Sequence, residues 1–343
     1  MDQEVVALLE AQGGAGAVHQ LLGAGCSRRT VERLVRTGVL VRVRRDALVL
    51  ATALRGITPW ERRALRARAL GFSLAHPRGS ADPAVHALSH QSAFAVREQP
   101  YGGGGEDIHL SRLDGHRGRR DGAVWVHAPV PATWAAEEDG LLVVHPAMAA
   151  LQVAAASGPE SGLICLDGVL HSAALADAEA HGQGIDVVRR GGVPPGREMV
   201  RVGRQLEAAL SAGFGRGQPA AEQVVEAADA RSESPGESRS RWLVEVLGLG
   251  PCTPQFAVRD GSVLVGYADL KLDRWAVLLE FDGSVKYSGL DDLLSEKERE
   301  DRLRELGYEV VRITWADLAR PHLVRQRILA AIARAEARRA VPG

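Results

Sequence analysis

The sequence predicts an α/β fold for the last third of the chain, with a mixed sheet between helices, and three observations carry that prediction. Val263 to Leu272 and Trp275 to Asp282 are apolar, β-rich runs around a short polar break at Asp273-Arg274, which is the pattern of a hairpin. Tyr308 to Trp315 (YEVVRITW) is a further strand, apolar enough to lie centrally, between a charged helix Leu290 to Leu306 and a closing helix Pro321 to Ala337. A helix opened by Ser234-Pro235-Gly236-Glu237, with Trp242, Leu243, Val246 and Leu247 on its apolar side, and a short strand from Pro254 to Val258 come before the hairpin. Helices on both faces of a mixed sheet make an α/β sandwich.

Two segments precede it, so the expected division is residues 1–80, 81–230 and 231–343. In the first, Val5, Val6, Leu8 and Leu9 lie at helical spacing before Gly13-Gly14, and a second helix runs from Ala15 to Leu22. Ser27 then offers an N-cap to a third helix, Arg28 to Thr37, whose apolar stripe is Val31, Leu34 and Val35. Val39 to Val43 and Ala47 to Leu50 pair about Arg44-Arg45-Asp46. Three short helices and a β-ribbon follow the order of a winged helix-turn-helix, whose third helix enters the major groove. Arg28, Arg29, Arg33 and Arg36 fall away from the apolar stripe, where they can meet phosphates or guanine edges, and Arg44 and Arg45 stand at the ribbon tip. Double-stranded DNA is the expected partner; the competing reading is a protein-interaction module with a solvated arginine face. Thr58-Pro59-Trp60-Glu61 has the residue order of a capping box and opens a linking helix to about Leu74.

The middle segment reads as α+β, and as a structural or regulatory spacer. Val85 to Phe94 (VHALSHQSAF) has the pattern of a buried helix containing Ser89, His90 and Ser92. Ile108 to Leu110, Val124 to His127 and Leu141 to Val144 are short strands, and Pro146 opens an apolar helix to Ala156. Asp167 and His171 lie at i,i+4 on a helix from Leu163 to Ala176 and are expected to be a hydrogen-bonded pair on one face. Without a G-x-S-x-G elbow, Ser89-His90 reads as a capped helix and not as a nucleophile.

Composition sets outer limits. A chain of 343 residues accommodates two or three domains, and a net charge of −1 gives no bulk attraction to nucleic acid. The local crowding of arginine in residues 28–45 is the informative feature. Cys26, Cys165 and Cys252 stand far apart, outside disulfide-framework or zinc-ligand spacing. Neither a signal peptide nor a membrane-spanning run is evident, so a soluble, cytoplasmic protein with no membrane partner is expected. Lysine occurs only at Lys271, Lys286 and Lys297, all in the final quarter.

The hairpin carries the chemistry. A two-residue loop at Asp273-Arg274 sets Leu272 against Trp275 and Asp269 against Leu278. Side chains alternate with period two, so Asp269 and Lys271 on one strand share a face with Glu280 and Asp282 on the other. Leu270, Val277, Leu279 and Phe281 then form the core face. Three carboxylates together raise one another's pKa unless a cation neutralises them. A hard dication, Mg²⁺ or Mn²⁺, bound by Asp269, Glu280 and Asp282 is therefore expected.

GYADLKLD, LLEFDGSVKY and EKEREDRLRELGYEVVRITWADL together resemble the DUF559 branch of the PD-(D/E)XK nuclease superfamily, kin to very-short-patch repair endonucleases. The winged-helix order followed by the SHQSA stretch resembles the AbiEi-type antitoxins of type IV toxin–antitoxin systems. The resemblance implies a restriction-endonuclease-like C-terminal domain. The superfamily's metal-binding aspartate matches Asp269, its second acid Glu280 and its leading-helix glutamate Glu237. Its usual lysine, two residues past the second acid, is Asp282 here, within the E-x-D-G pattern Glu280 to Gly283. Lys286 or Lys271 then has to supply the missing positive charge. The implied activity is Mg²⁺-dependent DNA cleavage. The implied alternative is a non-catalytic DNA-binding regulator or antitoxin with a cognate toxin as partner.

Overall fold

The computed structural model describes residues 2–75, 84–192, 196–283 and 290–340. The chain is mixed α/β and gathers into two compact units. One runs to Gly158 and takes in Phe214–Gly217; the other comprises Pro159–Gly213 and everything from Gln218 onward. The boundary between the two units falls at Gly158. The arginine-rich segment shares a unit with the sheet of residues 86–144, and the helices after Pro159 belong with the C-terminal sheet.

The first unit opens with helix α1 (Asp2–Ala11), strand β1 (Ala15–Ala17), helices α2 (Val18–Gly23) and α3 (Arg28–Arg36), and strands β2 (Leu40–Arg44) and β3 (Ala47–Leu50). The expected second helix begins as a strand. Ala15–Ala17 pairs antiparallel with Ala47–Val49 at the edge of a sheet ordered β1-β3-β2, and only then does the helix start. The Ser27 hydroxyl accepts the Thr30 amide at 3.1 Å and caps α3. Val31 and Leu34 turn inward on Val5, Leu9, Leu21, Leu40 and Leu48, each buried side chain contributing about 1.5–3 kcal/mol. Helix α4 (Pro59–Ala75) is held by reciprocal Thr58–Glu61 bonds, as its residue order predicts.

Six further strands follow: β4 (His86–Leu88), β5 (Ile108–Arg112), β6 (Arg119–Asp121), β7 (Val124–His127), β8 (Ala135–Glu138) and β9 (Leu141–Val144), with helix α5 (His90–Ala95) after β4 and α6 (Pro146–Ser157) after β9. They form one mixed sheet, ordered β6-β7-β5-β4-β9-β8. The expected helix from Val85 to Phe94 is therefore a strand, His86–Leu88, followed through an extended Ser89 by a short helix. β4 has partners on both sides, and that pairing overrides the helical pattern.

The second unit contains α7 (Pro159–Ala180), α8 (Ile185–Arg189), α9 (Arg197–Ala212), α10 (Gln218–Ala227), α11 (Pro235–Val246), strands β10 (Cys252–Asp260), β11 (Val263–Leu272) and β12 (Val277–Asp282), helix α12 (Leu290–Glu305), strand β13 (Glu309–Thr314), α13 (Trp315–Leu318) and α14 (Pro321–Ala340). The sheet runs β10-β11-β12-β13. Its first three strands are antiparallel, and β13 joins parallel to β12 through the α12 crossover. Leu270, Leu272, Val277 and Leu279 face Leu243 and Val244 of α11 and Val324 and Ile328 of α14. The opposite face is covered as well, because Leu278 and Ala268 meet Leu303 of α12. No described helix is long and apolar enough to cross a membrane.

Asp167 and His171 do not pair. Asp167 is buried and takes two bonds from Arg241 at 2.8 and 2.7 Å, which fastens α7 to α11, while His171 Nδ1 meets the Ala230 carbonyl. Burial raises the Asp167 carboxyl, and the Arg241 guanidinium works against that rise.

Within the first unit, His90, His109 and His127 form a buried cluster. The Ser89 hydroxyl meets His90 Nδ1 at 2.9 Å and gives α5 no side-chain cap, and His90 takes a left-handed φ of +50°. The His90 and His127 rings stack with centroids 3.6 Å apart, and His109 Nδ1 shares a 2.8 Å hydrogen bond with His127 Nε2. Burial pushes His109 down to about 4 and His127 to about 3, and holds His90 well below its ordinary value. The unfolded chain, near 6.5 for each ring, binds protons that the folded chain refuses. The stability these rings contribute is therefore full above pH 6.5 and is lost as pH falls toward 4 and 3. Urea melts of the wild type should show a downward slope over that window of about 1.4 kcal/mol per pH unit for each titrating ring. The His109→Gln, His127→Gln double variant should lose most of it.

Candidate active site

The β11–β12 connection decides what the acidic residues can do. Leu272 faces Val277, Lys271 faces Leu278 and Leu270 faces Leu279, so residues 273–276 form a four-residue turn. The expected two-residue loop, with Leu272 opposite Trp275, does not form. Trp275 leaves the strand, its amide donating to the Leu272 carbonyl at 3.1 Å and its indole N–H to Glu336 of α14 at 3.2 Å. Both connections are even-numbered, so each side chain keeps its face while the register moves by two. Asp269 therefore stands level with Glu280 and not with Leu278.

The ladder between these strands ends just there. Beyond Leu270 and Leu279 the Phe281 amide donates to the Asp269 carboxylate at 2.7 Å, a side-chain acceptor continuing the line of strand bonds. Both acids are half-buried. Burial raises the Asp269 carboxyl to about 7, helped by the charges of Glu237 and Glu280 and opposed by the Phe281 N–H and by Arg299.

Glu237 comes from the first turn of α11. Gly236 lets that turn lie flush on the Phe281 ring, which any Cβ at 236 would strike. The Ser234 hydroxyl donates to Glu237 Oε1 at 2.8 Å, and Oε2 accepts the Glu233 amide at 3.0 Å and Gln255 Nε2 at 2.9 Å. Ser234 thus caps the helix by accepting the Glu237 amide at 3.2 Å, while the Glu237 carboxylate returns to the Ser234 hydroxyl and the Glu233 amide, so both its oxygens are engaged. Gln255 lies on β10 between Pro254, opposite Leu270, and Phe256, opposite Ala268, so it is level with Asp269. It reaches Glu237 by taking a left-handed φ of +46°, an uncommon conformation for a side-chain-bearing residue.

Lys271 does not fill the expected cationic role. Lys271 Nζ donates back to the carbonyls of Leu272 and Asp273 at 3.1 and 3.2 Å and lies over the Phe256 ring, so it serves the turn. Lys286 lies outside the described residues. Among the described residues the cation at the carboxylates is Arg299 of α12, whose Nη2 donates to Glu280 Oε1 at 2.7 Å and to the Tyr267 carbonyl at 2.9 Å. Its charge-rich helix reads as a solvated face in sequence. One signal pointed the other way: Arg299 is four residues before Leu303, on the stripe that α12 turns toward the sheet.

No family model and no curated protein matches this chain.

Among the described residues, no group of three His, Cys, Asp or Glu side chains is placed to hold a metal ion. The expected trio of Asp269, Glu280 and Asp282 is not among such groups; Asp282 is exposed, two residues beyond Glu280 on β12. What remains is a facing pair of oxygen donors. Mg²⁺ takes one or two carboxylates and completes its shell with water and phosphate oxygens. A carboxyl raised by burial, and further by two neighbouring acids, marks a place short of both water and positive charge. The donor set fits a hard dication held by two residues.

In the first unit Arg28, Arg29, Arg33 and Arg36 are exposed on the side of α3 opposite Val31 and Leu34. Arg33 pairs with Asp2, Arg44 of the ribbon pairs with Asp121 of β6, and Arg45 at the tip is exposed. Four of the six expected DNA contacts, Arg28, Arg29, Arg36 and Arg45, are thus exposed, while two are engaged by acids of the same unit.

Removing the charge of Glu237 tests the electrostatics of the pair directly. In a Glu237→Gln variant the Asp269 midpoint, followed by ¹³C carboxyl chemical shift, should fall from about 7 toward the ordinary range, because one of the charges raising it is gone. A midpoint that stays put would leave burial and the Glu280 charge as the causes.

Proposed function

We propose that the second unit hydrolyses DNA phosphodiesters with a divalent cation, Mg²⁺ or Mn²⁺, held by Asp269 and Glu280. The observation that carries this reading is the level placement of those two carboxylates where the β11–β12 ladder ends, with Asp269 raised by burial first and by its acidic neighbours second. The order helix, β10-β11-β12 antiparallel, crossover helix, β13 parallel supports the restriction-endonuclease-like resemblance that the motifs imply. The cation, when bound, polarises a phosphoryl oxygen and lowers the pKa of an attacking water. Asp269 and Glu280 would fix its position, with Glu237, itself held by Gln255, as a third negative charge nearby. In the first unit, the order of α1 to β3 is that of a winged helix-turn-helix, and the exposed arginines of α3 are the proposed contacts to duplex DNA.

A second reading, a DNA-binding regulator or antitoxin that keeps the nuclease fold without turnover, draws on two observations. Asp282 stands where the superfamily carries lysine, and Glu280 is already neutralised by Arg299. A cognate toxin would be its partner. One assay separates the two. Purified full-length protein with Mg²⁺ or Mn²⁺ should nick supercoiled plasmid, and Asp269→Ala or Glu280→Ala should each lower the rate by at least about a hundredfold. Nicking that is equal in wild type and variants, or absent in all, favours the regulator.

A further inference from the structure

The facing acids lack the lysine that the E-x-D-G pattern replaces, and Lys271 is committed to the turn. The crossover helix brings a cation from the other side. Arg299 donates to Glu280 and to the Tyr267 carbonyl, and its side chain is 25 % exposed against 14 % for Glu280. The strand is shaped to admit it: a Cβ on Gly266 would lie 3.2 Å from Arg299 Nε, tighter than ordinary contact. Leu303, one turn further along α12, is buried against Leu278 and Ala268, so helix packing fixes where the guanidinium stands. Three features on two elements therefore converge on this one side chain.

We infer that Arg299 supplies the positive charge of the site, resting on Glu280 when the site is empty and donating to a non-bridging oxygen of the scissile phosphate when substrate and cation are in place. This inference rests on the phosphodiesterase reading above. Guanidinium stays protonated throughout and offers several donors in one plane, so it can leave one oxygen anion for another without a proton transfer. In the step it serves, a water oxygen forms the new bond to phosphorus while the bond to the leaving sugar oxygen breaks. The water proton passes to solvent, and the leaving alkoxide takes one back. Arg299 offsets the charge that gathers on the remaining phosphoryl oxygens. Because it shares Glu280 with the cation, it also competes with cation binding.

That competition gives opposite signs in two measurements. Full-length wild type, Arg299→Gln, Arg299→Met and Arg299→Lys are compared by Mn²⁺ titration without DNA and by plasmid nicking, with thermal melts alongside. The neutral variants should bind Mn²⁺ about tenfold more tightly, since a carboxylate loses its resident cation, and nick about a hundredfold more slowly. Lysine should restore much of the rate. The methionine variant keeps the apolar stem and serves where the glutamine variant loses its cooperative melt. Neutral variants that nick at the wild-type rate, or that lose Mn²⁺ binding together with nicking, overturn the inference and leave the phosphodiesterase reading standing. A wild type that neither binds Mn²⁺ nor nicks removes both.

Discussion

Two carboxylates held level and half-buried at the end of a β ladder are short of water and set against each other's charge, and the groups around them relieve both. At an effective dielectric of about 20, like unit charges about 4 Å apart cost about 4 kcal/mol, a large share of a typical folding stability of about 5–15 kcal/mol. The chain relieves this locally. Asp269 takes the Phe281 amide and holds its proton to about neutral pH. Glu280 takes Arg299, and Glu237 is held by the first turn of its own helix together with Gln255.

The supports around the pair trace back to particular residues. Gly236 allows α11 to reach Phe281, Gly266 leaves room for a guanidinium, and Trp275 lengthens the turn by leaving the sheet for Glu336. Gln255 holds a left-handed backbone that costs roughly 1–3 kcal/mol, and its return is one hydrogen bond to a buried glutamate. Strain beside crowded acids is the pattern expected where local stability gives way to a functional arrangement.

Face assignment was readable in the sequence, but register was not. Period-two alternation put Asp269, Glu280 and Asp282 on one face, and it tolerates any even loop, so it could not separate two residues from four. Trp275, an aromatic directly after the polar break, reads as a strand residue, and only the position of α14 shows why it is not one. Arg299 was hidden by the opposite problem, a helix so rich in charge that a single inward residue disappears among solvated ones. Ala15–Ala17 and His86–Leu88 are too short to declare themselves, and each becomes a strand because a partner is available. By contrast, helices with marked ends, such as those opened by Ser27, Thr58, Pro146 and Ser234, begin where their capping chemistry says they should.

The central claim is that Asp269 and Glu280 act as one cation-holding pair. Anomalous scattering from Mn²⁺ diffused into crystals of the full chain measures this most directly. The account predicts a peak within bonding distance of an oxygen from each residue, about 2.1–2.3 Å from both, with Arg299 displaced from Glu280. Mn²⁺ bound only elsewhere, with the Arg299–Glu280 pair intact at saturating metal, would contradict it.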